Sequence, residues 1–87
     1  MKYKMFFQDN EPILCDIKKT DKTTTIIFLE DRKQSYYLFD NDIDGKRVVI
    51  RATGKRISRH CIVDIDEDTF VLYPYRQGLP YLFKKCS

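Results

Sequence analysis

The stretch KRVVIRATGKRISRHCIVDI, residues 46–65, carries the pattern that decides the fold. Two runs rich in β-branched residues, 46–52 and 56–65, flank Thr53 and Gly54. β-Branched residues favour extended strands, and glycine accepts the positive φ that a tight hairpin turn requires. The stretch therefore predicts an antiparallel β-hairpin.

Similar runs continue on both sides of this hairpin. Each is short, rich in Val, Ile, Thr, Tyr and Phe, and bounded by polar turn segments, and no window repeats apolar residues with helical spacing over the 10 or so residues that a helix needs. These runs cover residues 2–7, 12–18, 23–30, 34–40, 69–75 and 80–85. We predict one all-β domain, residues 1–87, folded as a small antiparallel barrel or sandwich. It should be a meander of about 6–8 short strands with little or no helix.

The composition is that of a folded chain, with 43% hydrophobic and 14% aromatic residues among 87. The three cysteines, Cys15, Cys61 and Cys86, are odd in number and widely spaced, which indicates buried or reduced thiols rather than a disulfide framework or a metal motif. Neither a signal-peptide run nor an apolar membrane-spanning run is present in the sequence. We therefore expect a cytoplasmic protein without a cofactor or a membrane partner.

The acidic segment DNDIDG, residues 40–45, begins like a calcium-binding loop. An EF-hand loop needs a bidentate carboxylate at its twelfth position, and counting from Asp40 that position is Arg51. We interpret the segment as a tight turn and predict no metal site. Two alternatives stay open: with DIDED, residues 64–68, it binds a cation, or it neutralises the neighbouring basic residues.

Basic residues are concentrated in the hairpin, because residues 46–60 hold six of the sixteen and no acidic residue. The other ten are outnumbered by the thirteen acidic residues, so the net charge of +3 conceals a segregated distribution. The six residues are Lys46, Arg47, Arg51, Lys55, Arg56 and Arg59.

For the hairpin we predict a register that pairs Ile50 with Ile57 on the core face. Arg51 then lies opposite Arg56 on the exposed face, because side chains alternate along a strand. Like charges in direct opposition destabilise a sheet by roughly 0.2–1 kcal/mol per pair. An anionic partner would explain this arrangement, and the two-stranded ribbon fits the DNA major groove. Simple solvation that discourages edge pairing is the alternative.

The predicted register gives Arg59 and His60 unusual positions. Arg59 would point inward unless a β-bulge at residues 58–60 rotates it outward or a partly buried ion pair holds it. His60 is the only histidine and lies opposite Arg47. Its neighbour Cys61 points to the other face, so the two cannot act together as base and nucleophile.

The C-terminal segment YPYRQGLPYLF, residues 73–83, places Tyr73 and Tyr75 beside Arg76. Aromatic rings next to a cation can stack unpaired bases, and the same residue types anchor protein interfaces. The alternative is that these tyrosines pack one side of the ring on the core.

Taken together, the sequence predicts a non-enzymatic binding protein that binds nucleic acid through the basic hairpin. The alternative is a protein interaction module that regulates or inhibits a larger complex through its basic and tyrosine-rich surfaces, which would bind an acidic protein surface. A small metal-independent ribonuclease using His60 is a third. The candidate binding residues are Lys46, Arg47, Arg51, Lys55, Arg56, Arg59, His60, Tyr73, Tyr75 and Arg76.

Overall fold

The computed structural model describes residues 1–76 and 78–86, and for Thr53 only the backbone. Each strand pairs antiparallel with its neighbours in sequence, and the last pairs with the first, so the sheet closes into a barrel. The predicted all-β meander is confirmed, and the closed barrel is the architecture found. Its eight strands are β1 (Lys2–Phe6), β2 (Ile13–Lys19), β3 (Thr23–Phe28), β4 (Gln34–Ile43), β5 (Lys46–Thr53), β6 (Arg56–Asp66), β7 (Thr69–Pro74) and β8 (Tyr81–Lys85).

The connections alternate between the two ends of the barrel, as a meander requires. The β1–β2, β3–β4, β5–β6 and β7–β8 connections lie at one end, called the open end, and the others lie at the closed end. The β4–β5 turn consists of Asp44 and Gly45, whose φ angles of 52° and 76° are those of a type I′ turn. The predicted tight turn is therefore present but shorter, because residues 40–43 belong to β4.

Aromatic residues fill the interior toward the closed end. The rings of Phe70 and Phe83 stack with centroids 4.7 Å apart, and Tyr3 meets Phe70 edge-on at 5.6 Å. Lys19 closes this end, with Nζ 3.9 Å from the Phe70 ring centroid and 3.8 Å from Asp64 Oδ1. Burial lowers the pKa of Lys19, since the apolar surroundings disfavour its charged form.

The three cysteines are free, as their spacing predicted. Cys15 and Cys61 are buried, and Cys86 is half-buried. Burial raises the pKa of the Cys15 thiol to about 11, with smaller contributions from Cys86 and Asp16. Cys15 is therefore a protonated core residue at neutral pH.

The predicted register of the β5–β6 hairpin was wrong by two residues. Arg51 lies opposite Ser58, and Arg56 lies opposite Thr53, so the two arginines are not directly opposed. The reason is the turn: its two residues are Gly54 and Lys55, and Gly54, with φ of 60°, takes the first position. A positive φ at the first of two loop residues is the type II′ geometry.

The predicted assignment of the hairpin faces was also wrong. Val49 and Ile62 point into the barrel, and Arg51 shares their face. Ile57, predicted to be core, is 72% exposed on the outside. Arg59 points outward because it lies on that outer face of a strand with continuous pairing to β5. The register shifts that the structure describes fall at Phe39/Asn41 and Asp64/Asp66 rather than at 58–60.

Replacing Phe83 with alanine should lower the free energy of unfolding by about 3–5 kcal/mol, because it removes a fully buried ring and leaves a cavity beside Phe70. Leu82→Ala is the matched control on the outer face. It should cost about 1 kcal/mol, since Leu82 is only half-buried. Urea denaturation followed by circular dichroism measures both losses, and equal losses would contradict the interior position of Phe83.

Candidate functional site

The β5–β6 hairpin extends beyond its neighbouring strands at the open end. Pairing of β4 with β5 reaches only to Leu38 and Ile50, and pairing of β6 with β7 reaches to His60 and Pro74. Beyond His60 and Pro74, β6 and the end of β7 share one further backbone hydrogen bond, which Tyr75 N–H donates to the carbonyl of Arg59 at 3.0 Å. Within the described chain, residues 51–53 and 56–58 therefore pair only with each other. We call residues 51–58 the basic ribbon.

The six basic residues of the hairpin are divided by the sheet. Arg47 and Arg51 belong to the inward-facing positions, whereas Lys46 and Arg59 belong to the outer ones. Lys46 Nζ lies 5.6 Å from the Tyr73 ring centroid, and a hydrogen bond with Tyr73 raises the pKa of Lys46. The predicted single cationic face is therefore not present. Lys55 and Arg56 are exposed at the turn of the ribbon.

Part of the predicted surface does come together on the outside of the barrel. Ile57, Arg59, Pro74, Tyr75 and Arg76 line a surface groove of about 590 Å³ next to the ribbon turn. The Tyr75–Arg59 backbone bond holds the end of β7 along β6 and so places both side chains on the same outer face. We call these five residues the tip groove.

The acidic segments neutralise the hairpin only in part. Asp40 Oδ2 lies 3.8 Å from Arg59 Nε, and both side chains are exposed, so solvent weakens the pair. Asp42 lies opposite Arg47 across β4 and β5. Asp64 binds Lys19 at the closed end instead of the hairpin. Among the residues that the structure describes, no three acidic, histidine or cysteine side chains are arranged to hold a metal ion.

The barrel contains a second candidate site, a cavity of about 650 Å³ that lies in its open half. Its lining combines apolar side chains from the core with polar side chains near the rim. The apolar residues include Met5, Ile13, Ile26, Phe28, Leu72 and Phe83, and the polar ones include Asp31, Lys33, Gln34, Ser35, Tyr37, Arg51, His60 and Tyr81. A concave space that combines apolar side chains with convergent polar groups is the usual form of a small-molecule site.

Arg51, His60 and Tyr37 form the polar centre of this cavity. The Tyr37 ring meets the His60 ring edge-on, with centroids 5.3 Å apart. Burial, and secondarily the Arg51 charge, lowers the pKa of His60. Burial raises the pKa of Tyr37, and Arg51 partly opposes that shift. At neutral pH the centre therefore holds one positive charge beside two neutral rings.

Ser58, at the base of the basic ribbon, contacts two residues of the polar centre. Its Oγ lies 3.1 Å from His60 Nε2 and donates to the carbonyl of Arg51 at 3.5 Å. Sequence reasoning singled out Arg51 and His60, but as surface residues, and it missed Lys33, Ser35, Tyr37 and Tyr81. The sequence signal that could have identified Ser35 and Tyr37 is the alternation of side chains along β4. The two residues are two positions apart and therefore face the same side of the sheet.

The described residues include no helix long and apolar enough to cross a membrane. Comparison with known proteins gave no match: no family model, no curated protein and no solved structure matches this chain.

Acidification should destabilise the wild-type protein more than the His60→Gln variant. Because the folded-state pKa of His60 is lowered, the unfolded chain takes up the proton more readily. The stability contributed by neutral His60 is present above the unfolded pKa and is lost as pH falls through the folded pKa. Urea denaturation of both proteins between about pH 7 and about pH 5 measures the difference. Identical pH slopes would contradict the buried position of the imidazole.

Proposed function

We propose that the protein binds single-stranded nucleic acid without catalysing a reaction, through the tip groove and the turn of the basic ribbon. The observation that carries this proposal is the grouping of Arg59, Tyr75 and Arg76 in one groove beside the ribbon turn. Lys55 and Arg56 add positive charge at that turn, with Arg56 on the opposite face of the ribbon from Ile57 and Arg59. The chain thus offers two arginines beside one exposed aromatic ring and two further cations at the ribbon turn.

Electrostatics favours an anionic partner at this surface. In the described part of the chain, no carboxylate lies within 4.0 Å of Lys55, Arg56 or Arg76, and Arg59 has only its exposed contact with Asp40. Phosphates that contact these side chains would release condensed counterions, which makes binding favourable and strongly dependent on salt.

The shape of the groove favours an unpaired strand over a duplex. Tyr75 is exposed and lies beside Pro74 and Ile57, so its ring is open to stacking with a base. A duplex would instead need a continuous cationic face along the hairpin. That face is lacking, because Arg47 and Arg51 lie on the inward side of β5.

A protein partner is the second candidate, and one observation favours it. Ile57 is 72% exposed within the tip groove, and an exposed aliphatic side chain ringed by Arg and Tyr is typical of protein interfaces. A regulatory or inhibitory module would use this surface to bind a larger complex, with affinity that depends little on salt. A ribonuclease is not proposed, because His60 lies in the cavity rather than in the tip groove.

Neutralising two cations, in the double variant Arg56→Gln with Arg76→Gln, should weaken binding of a fluorescent oligonucleotide. For single strands the slope of log affinity against log salt should shrink by about 0.7 per lost phosphate contact. Fluorescence anisotropy over a series of salt concentrations measures this slope. The matched control is Lys4→Gln with Lys18→Gln, two exposed lysines on β1 and β2. An equal change in the control would mean that general charge, rather than the tip, carries binding.

Removing the ring of Tyr75 tests the stacking contact. Tyr75→Ala should cost about 1–3 kcal/mol of oligonucleotide binding free energy, the value of one stacked base. Tyr36→Ala, at another exposed tyrosine on β4, is the control and should leave affinity unchanged. The same anisotropy titration, carried out with a single strand and with its duplex, measures the preference for unpaired over paired nucleic acid. Tighter binding of the duplex, or no effect of Tyr75→Ala, would argue against this mode.

A further inference from the structure

The two halves of the barrel interior are filled differently. The closed half is packed by Tyr3, Phe70 and the Lys19 stem, whereas the open half contains the cavity of about 650 Å³. An eight-stranded barrel has an interior that its own side chains just fill or that holds one small ligand. The open half is not filled by its own side chains, and serine, histidine and proline occupy interior positions there, at Ser35, His60 and Pro74.

The charge of Arg51 has no carboxylate in direct contact with it within the described part of this cavity. Arg51 is half-buried, and in the described chain no carboxylate lies within 4.0 Å of its guanidinium. Its cavity neighbours His60 and Tyr37 are neutral at pH 7, and the carboxylate of Asp31 at the rim accepts the backbone N–H of Lys33 at 3.0 Å. A partly desolvated guanidinium is costly without an anion, and its planar donors match a carboxylate.

The cavity also has a side opening. Residues 34–37 of β4 pair with β3 but, within the described chain, not with β5, whose residues 51–53 diverge into the basic ribbon. Gln34, Ser35 and Tyr37 line one side of this gap, and Arg51 lines the other. A ligand entering here meets the guanidinium first and the apolar interior beyond it.

We propose that the cavity binds one small amphipathic carboxylate, whose head group pairs with Arg51 and whose apolar body lies against Ile26, Leu72 and Phe83. Among the described residues this binding site and the tip groove have Pro74 in common, but the proposal does not depend on the nucleic-acid proposal. Tyr37 and Tyr81 supply hydroxyl groups near the head group, and the apolar lining accepts either an aliphatic or an aromatic body.

Isothermal titration with three eight-carbon probes tests the proposal on the full chain: octanoate, 1-octanol and octylammonium. Octanoate should bind at one site and at least ten-fold more tightly than 1-octanol, with octylammonium weakest. Amide chemical shifts should change at Ile26 and Leu72 and stay unchanged at Ile57 and Arg76. Equal affinity for octanoate and 1-octanol, shifts confined to the tip groove, or no saturable binding would each overturn it.

Substitutions of Arg51 test whether it binds the carboxylate head group of the ligand. Arg51→Gln should weaken octanoate binding at least ten-fold and leave 1-octanol within two-fold, while Arg51→Lys should retain most of the affinity. Arg56→Gln removes the same charge from the exposed ribbon turn and is the matched control. Thermal melting verifies that each variant is folded. A loss of octanoate affinity in Arg56→Gln equal to that in Arg51→Gln would overturn the assignment of Arg51.

Discussion

Closure of the sheet between β1 and β8 is the constraint on which the rest of the molecule depends. Four residue pairs, from Tyr3 with Lys85 to Phe6 with Leu82, join the first strand to the last. This pairing sets Met5 beside Phe83, which itself pairs with Phe70 across β7 and β8, and it completes the cavity wall that includes Tyr81. Without it the meander would be an open sheet with one apolar face in water, and neither the core nor the cavity would exist.

The strands were predictable because their signals are local. Runs of β-branched and aromatic residues between turn residues identify a strand wherever it is packed, and the structure contains all eight. The inward face of β5 was not predictable in the same way. Residues 48–50 and 61–63 are each apolar at three consecutive positions, so alternation does not distinguish inside from outside there. Glycine is suited to either position of a two-residue turn, so the sequence did not distinguish a turn at residues 53 and 54 from one at residues 54 and 55. The predicted register therefore differs from the observed one by two residues.

The candidate site was predictable only where neighbouring strands form it. The segregation of charge pointed to the hairpin, and the tip groove combines Arg59 with Tyr75 and Arg76 from the segment that follows. The cavity depends on strands from the whole chain, which no local pattern relates to one another. Arg51 was read as a surface cation because arginine is usually exposed, yet an interior position near a barrel rim lets its charge reach the opening.

The distribution of thiols has a practical consequence for spectroscopy. Alkylating reagents attack the thiolate, and Cys15 and Cys61 are shielded in the folded barrel. Cys86 is partly accessible and follows β8 at the closed end, where its N–H donates to the carbonyl of Lys2 at 2.9 Å. A maleimide dye or nitroxide attached to the native chain would therefore reside there, and it would report on events at the far rim without obstructing them.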